Sequence, residues 1–225
     1  MITFMRHQSM QLGNLPDPPE NSGAHDQRIK GYRYDVFVSY RHDKSERARM
    51  TPWIRMVLDM LGYWLEEERR GEPVKIFFDK DEIEVGNRWP DKLRESLLSS
   101  RCLLPFWSPK YFHSSWCLTE LKSFLARERL LQKRRCELIV PIKFHDGQWF
   151  PDEVKDIWQL DLSEYAFTTE GFSHTAGHVE LERVLKKFAR TLANAIDKAP
   201  PFQEGWPIED SESSGPPYGV PMRRL

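Results

Sequence analysis

Residues 101–121 read RCLLPFWSPKYFHSSWCLTEL and combine a predicted strand, a loop and the start of a predicted helix. The strand is the largely apolar run at 101–106. Ser114 or Ser115 is a good N-cap for a helix that continues to about residue 132. A buried strand that leads into a helix is the repeating unit of an α/β fold, and the same order recurs along the chain.

Apolar runs and segments of helical periodicity alternate on both sides of this stretch. Four further strands are predicted, at 35–39, 74–78, 138–142 and 158–162. Three further helices are predicted, from about 51, at 87–99 and from about 179 to 196. Most of these strands are continuously apolar, which is typical of a parallel sheet covered on both faces. The sequence therefore predicts a flavodoxin-like α/β fold with a five-stranded parallel sheet and helices on both faces.

Composition limits the classes of protein that the chain can represent. It has 225 residues and a net charge of -1, so binding to nucleic acid or to a membrane mainly through charge is not expected. No apolar run approaches the roughly 18 residues of a membrane span, and residues 1–10 lack the apolar stretch of a signal peptide. Three cysteines form no evident disulfide framework, so we expect a cytoplasmic protein.

Both ends of the chain differ in composition from its centre. Residues 1–31 are rich in polar residues and proline, and 199–225 contain six prolines at positions 200, 201, 207, 216, 217 and 221. Neither end has helical or strand periodicity. We therefore expect a disordered N-terminal tail at 1–31, one domain at 32–198 and a Pro-rich C-terminal tail at 199–225.

In flavodoxin-like sheets, ligands bind beyond the carboxyl ends of the strands, close to the first and third. Tyr40 and Arg41 follow the first strand and are able to stack on a base and hold a phosphate, although an ordinary surface loop is the favoured interpretation of these residues alone. The segment 79–90 follows the second strand and contains four carboxylates within six residues. Their spacing does not match an EF-hand, and no metal site is predicted.

The helix after the third strand carries a carboxylate among aromatic side chains. Trp116 and Glu120 are four residues apart and share a helix face, which Phe124 continues. The carboxylate is expected to be partly desolvated, as a functional group would be. The alternative is a glutamate stabilised by the dipole of its own helix N-terminus.

Four segments together resemble the TIR (Toll/interleukin-1 receptor) domain family. They are YDVFVSYRHD at 34–43, FFDKDEIEVGNRW at 77–89, LLPFWSPKYFHSSWCLTEL at 103–121 and LIVPIKF at 138–144. The second contains the segment known in the family as the BB loop, here 79–90. A response-regulator receiver has the same topology, but the carboxylates that it needs after the first and third strands are absent.

The WCLTEL segment is similar to the enzymatic branch of the family, which cleaves the nicotinamide–ribose bond of NAD⁺. The resemblance implies that Glu120 is the catalytic residue, contacting the ribose hydroxyls, and that Trp116 is the tryptophan of the W-x-x-x-E motif. NAD⁺ is then a substrate, and no cofactor or metal is required. The products implied are nicotinamide with ADP-ribose, a cyclic isomer or a conjugate. The alternative is a non-enzymatic TIR scaffold that signals by homotypic assembly.

The resemblance also implies a nucleotide pocket and a biological setting. Tyr40, Arg41, Glu84, Gly86 and, after a one-residue shift, Trp89 match positions that shape the pocket. Self-association through the BB loop is implied as well. The biological setting expected is anti-phage or innate immune defence, together with a separate sensor or effector protein.

Overall fold

The computed structural model describes residues 31–41, 50–78, 91–131, 137–148, 150–167 and 170–209. Its strands are β1 (Tyr34–Tyr40), β2 (Ile76–Phe77), β3 (Ser100–Trp107), β4 (Ile142–Lys143) and β5 (Leu160–Asp161). Its α-helices are α1 (Met50–Glu68), α2 (Asp91–Leu98), α3 (Ser115–Leu130), α4 (Asp152–Lys155) and α5 (Ala176–Lys198). Short 3-10 turns occupy Tyr111–His113, Ser163–Tyr165 and Glu170–His174.

The five strands form one parallel sheet in the order β2-β1-β3-β4-β5. This is the flavodoxin-like order, and it confirms the predicted fold class. The long central pair runs from Tyr34 opposite Ser100 to Tyr40 opposite Phe106. The carboxyl ends of β1 and β3 therefore lie side by side, at the edge where a ligand site is expected.

Alternate residues of the central strands face two separate cores. Val36, Val38 and Tyr40 of β1 pack on the side of α1 and α5. Phe37 packs on the other side, with α2, α3 and the turn at Tyr111–His113. This alternation follows from the two-residue repeat of a strand. It places helices on both faces of the sheet, as predicted.

The fourth predicted strand forms only in part. Leu103 N donates to Leu138 O at 2.8 Å and Val140 N donates to Leu103 O at 2.9 Å, so this run follows β3 as expected. A continuous strand begins only at Ile142. Pro141 explains the late start, because a proline has no N–H to donate to a neighbouring strand.

A buried arginine fixes the position of α3. Arg127 is 1% exposed, and its guanidinium donates to Leu97 O at 2.9 Å and to Ser100 O at 3.2 Å. It also lies 5.5 Å from the ring centroid of Trp206, which is buried as well. Residues 199–209 thus contain no helix or strand but pack against α3, where Glu209 N donates to Ser123 Oγ at 3.1 Å.

None of the helices in the described ranges is long and apolar enough to cross a membrane.

Candidate functional site

The candidate site lies where β1 and β3 end and α3 begins. After β3 the chain makes the 3-10 turn at Tyr111–His113 and enters α3 through Ser114. The Ser114 side chain caps this helix by accepting from Cys117 N at 3.5 Å, which confirms the predicted N-cap. Glu120 follows in the second turn of α3, on the side that faces β1.

Glu120 is a buried carboxyl with a hydrogen-bond partner from the sheet. Its side chain is 7% exposed and forms a hydrogen bond with the Ser39 hydroxyl near the end of β1. Burial raises the pKa of Glu120 to about 8, and the Ser39 hydrogen bond opposes only part of that increase. Within the described part of the chain no Lys, Arg or His forms an ion pair with it.

Two further groups extend this hydrogen bond into a chain. Ser39 Oγ lies 2.9 Å from the Tyr111 hydroxyl, which donates to Cys117 O at 3.2 Å. Tyr111 is fully buried, and burial followed by the charges of Cys117 and Glu120 holds its pKa well above the usual range. This hydrogen-bonded chain therefore connects Glu120 with β1, the 3-10 turn and the first turn of α3.

An open cleft is formed by residues that neighbour this hydrogen-bonded chain in sequence, since Arg41 follows Ser39 by two positions and Lys110 directly precedes Tyr111. It has a volume of about 340 Å³ and is lined by Arg41, Pro109, Lys110 and His113. His113 Nδ1 lies 2.7 Å from Pro109 O, so Nδ1 carries the proton that is donated to this carbonyl. Burial and the charge of Glu120 raise the pKa of the Cys117 thiol, and the charge of Arg41 opposes part of that rise. Cationic side chains around an open cleft suit an anion such as a phosphate.

The other predicted site residues are distributed unevenly. Tyr40 is 9% exposed and lies in the core on the side of α1 and α5, where its ring centroid is 5.1 Å from that of Phe78. It is therefore on the opposite face of the sheet from Glu120. Trp116 is half-buried at the edge of the core that contains α3. Predicted site residues Glu84, Gly86 and Trp89 lie outside the described residues.

Sequence reasoning did not assign Ser39 or Tyr111, although both stand in the segments that it selected. The alternation of β1 carried a signal for Ser39, because this polar residue shares a strand face with the buried Phe37. Tyr111 had no comparable signal, since its contact with Ser39 spans 72 residues of sequence.

Cys117 behaves as a core residue rather than a nucleophile. It is 3% exposed, and burial followed by the charge of Glu120 raises the pKa of its thiol. A thiol in that state is neutral and weakly reactive at neutral pH. Among the described residues, no group of three His, Cys, Asp or Glu side chains is arranged to hold a metal ion.

The chain is similar to a curated relative and to solved structures. It is 26% identical over 166 residues to NAD(+) hydrolase TirS of Staphylococcus aureus, covering 72% of this chain and 49% of the relative. The chain thus spans about half the length of that relative. The TIR domain of the Toll-related receptor TRR-2 from Hydra magnipapillata matches with a TM-score of 0.39 at 18% identity, covering 68% of this chain and 98% of that one.

A second solved structure, the TIR domains of the activated Roq1 resistosome that recognizes the pathogen effector XopQ, has a TM-score of 0.35 at 18% identity. The match with the Roq1 structure covers 72% of this chain and 84% of the Roq1 chain. The family model described as the TIR domain matches residues 36–175, which include most of β1, all of β2 to β5 and the candidate site. The chain belongs to the TIR domain family.

Proposed function

We propose that this chain cleaves the nicotinamide–ribose bond of NAD⁺, with Glu120 as the catalytic carboxyl group. The observation that carries this proposal is a buried carboxyl hydrogen-bonded to Ser39 near the carboxyl end of β1, on a sheet edge where Arg41 and Lys110, which follow β1 and β3, line an open cleft. The similarity to NAD(+) hydrolase TirS supports it. A buried carboxyl with a raised pKa in such a position is also typical of functional sites.

The chemistry matches the groups present. When the bond between C1′ and the nicotinamide nitrogen breaks, its electron pair neutralises the cationic ring and leaves positive charge on the ribose. An ionised Glu120 stabilises that charge, as carboxylates do in glycosidases. Water then bonds to C1′ and releases a proton, which gives ADP-ribose. Capture by an adenine nitrogen gives a cyclic isomer, and capture by another nucleophile gives a conjugate. NAD⁺ enters as a substrate, and no cofactor takes part.

The direct test is incubation of the purified chain with NAD⁺ at high protein concentration, followed by chromatography and mass spectrometry. We expect equimolar loss of NAD⁺ and release of nicotinamide, and the second product identifies a hydrolase, a cyclase or a conjugating enzyme. Absence of turnover even after forced clustering of the chain would contradict the proposal. The chain would then be a scaffold that signals by assembly.

The cleft is the proposed site for the diphosphate of NAD⁺. Lys110 is exposed at its edge, so replacement by alanine removes a charge without opening the core. We expect Lys110→Ala to raise KM about tenfold with little change in kcat, because a phosphate contact holds the ground state and the transition state equally. Lys155→Ala on α4 is the matched control, since that lysine is exposed and pairs with Asp152. A change in kcat alone would contradict the assignment.

We further propose that residues 79–90 mediate self-association and that the active form is an oligomer. Specific activity is then expected to rise with protein concentration. A Gly86→Pro variant and a Glu120→Gln variant, each inactive alone, should regain activity when mixed if a neighbouring chain's loop completes the site. Constant specific activity and failed complementation would contradict this proposal.

The cellular role that we propose is anti-phage or other innate immune defence in the cytoplasm, with a separate sensor or effector protein. Phage challenge of cells that express the chain or its Glu120→Gln variant tests that role. Protection by both alike would contradict a role for NAD⁺ cleavage.

A further inference from the structure

The hydrogen bonds around Glu120 require more protons than an ionised carboxylate leaves available. Three contacts join Glu120, Ser39, Tyr111 and Cys117 O in a line. Each contact needs one hydrogen atom, and the two hydroxyl groups supply one each. The carbonyl supplies none. An ionised Glu120 therefore leaves one of the three contacts without a hydrogen, whereas a protonated Glu120 supplies the third.

We propose that Glu120 rests as a neutral carboxylic acid at the head of this chain, and that Ser39 and Tyr111 reverse the direction of their O–H groups when it ionises. The inference rests on the proposed function and adds two positioning residues to it. In the resting state Glu120 donates to Ser39, Ser39 donates to Tyr111, and Tyr111 donates to Cys117 O. All three contacts are then satisfied.

Ionisation reverses this order without moving a heavy atom. The Glu120 proton is released to solvent, Ser39 turns its O–H towards the carboxylate, and Tyr111 turns its O–H towards Ser39. Cys117 O gives up its contact with Tyr111. The carbonyl then keeps only the donor that its position in an α-helix provides, the N–H four residues ahead. Two aligned hydroxyl groups then stabilise the anion that the cationic transition state needs.

Glu120 is the group in this cluster that changes charge near neutral pH. Ser39 and Arg41 approach from the end of β1, Tyr111 approaches from the 3-10 turn, and Cys117 belongs to α3 itself. Burial raises the pKa of Tyr111 and of Cys117, so both stay neutral. Lys110 and His113 line the cleft on the outer side. With its pKa at about 8, Glu120 is mostly protonated at pH 7.

Binding of the substrate is expected to favour the ionisation of Glu120. The nicotinamide ring of NAD⁺ is a cation, so its arrival beside Glu120 favours the ionised carboxylate and lowers its pKa. The pH profile of kcat/KM reports the free enzyme, and that of kcat reports the substrate complex. We therefore expect the rising limb of kcat at lower pH than the rising limb of kcat/KM.

The test measures these profiles for the full chain and four variants. Ser39→Ala removes the hydrogen bond to the anion, so we expect kcat/KM at pH 7 to fall about tenfold and its rising limb to move to higher pH. Tyr111→Phe should move the limb in the same direction by a smaller amount. Ser100→Ala and Tyr34→Phe are the matched controls, because this pair faces each other at the opposite end of β1 and β3. Their profiles should match that of the wild type.

A spectroscopic measurement keeps the inference separate from the activity. An infrared difference spectrum between wild type and Glu120→Gln should contain a protonated-carboxyl band at about pH 6.5 that is lost by about pH 9.5. Absence of that band at the lower pH, or an unchanged profile in Ser39→Ala, would overturn the inference. If the wild type cleaves no NAD⁺ but the band titrates as described, the proposed function fails and the resting state of Glu120 stands.

Discussion

Replacing Glu120 with glutamine should lower the rate of NAD⁺ cleavage by about 10³-fold or more while leaving the fold intact. The side-chain amide has the shape of the neutral acid and stands at the same contact with Ser39. Its N–H is able to donate to Ser39, as we propose for the protonated carboxyl. The buried chain of hydrogen bonds is therefore preserved. What glutamine lacks is the negative charge that stabilises the ribosyl cation, so the loss is expected in kcat rather than in KM.

A second glutamate of the same helix provides the control. Glu128 also carries a pKa raised by burial, and its Oε1 accepts from Leu138 N at 2.6 Å and from Ile139 N at 3.2 Å. Glu128→Gln keeps an acceptor there, and Glu128 bonds to residues 138 and 139 rather than to β1, so nicotinamide release should stay within about twofold of the wild type. If Glu120→Gln retained wild-type turnover, or if Glu128→Gln lost it equally, Glu120 would not be the catalytic carboxyl.

The fold was predictable because its elements are periodic. All five strands overlap the apolar runs that predicted them, and α5 extends the predicted 179–196 by only a few residues at each end. Thr175 explains the earlier start of α5, since its hydroxyl accepts from His178 N at 3.4 Å and caps the helix. The four-residue helix α4 was not predicted, because one turn is too short to show a period.

The packing of 199–209 was harder to predict because this segment, like α4, has no periodic pattern in the sequence. Phe202 meets the Tyr32 ring edge to face at 5.4 Å, and Trp206 covers the Arg127 guanidinium. These contacts bring residues far apart in sequence together without any regular spacing. Composition alone marks such a segment as a tail.

In the site too, contacts between residues close in sequence were predictable, whereas contacts between distant residues were not. The burial of Glu120 was expected from the aromatic residues on its own helix face, whereas its partner comes from a strand 81 residues earlier. Tyr40 was selected for its place after the first strand, but the strand alternation turns its ring to the other side of the sheet. Ser39, one position earlier, faces α3 instead. The motif thus predicted that the end of β1 lies at the site, but the alternation of side chains along β1 determines that Ser39, and not Tyr40, contacts Glu120.

The stability of the fold should depend on pH through the same buried carboxyl. The pKa of Glu120 is about 8 in the folded chain against an ordinary value of 4.5, so the folded state holds the proton more tightly. Its contribution to stability is complete below about pH 4.5 and is lost as the pH rises through about 8. Glutamine at this position cannot ionise. The free energy of unfolding of Glu120→Gln should therefore rise relative to that of the wild type across this interval, by up to roughly 5 kcal/mol at ~1.4 kcal/mol per pH unit.

Urea unfolding at a series of pH values measures this difference. Glu67→Gln on the exposed side of α1 is the control, and its free energy of unfolding should run parallel to that of the wild type at every pH. A difference between Glu120→Gln and wild type that stays constant from about pH 5 to pH 9 would mean that the carboxyl ionises without cost in the folded chain. A difference that grows with pH shows instead that the folded state disfavours the ionised form of Glu120. Interaction with a cationic substrate then has to offset this cost before the carboxylate forms.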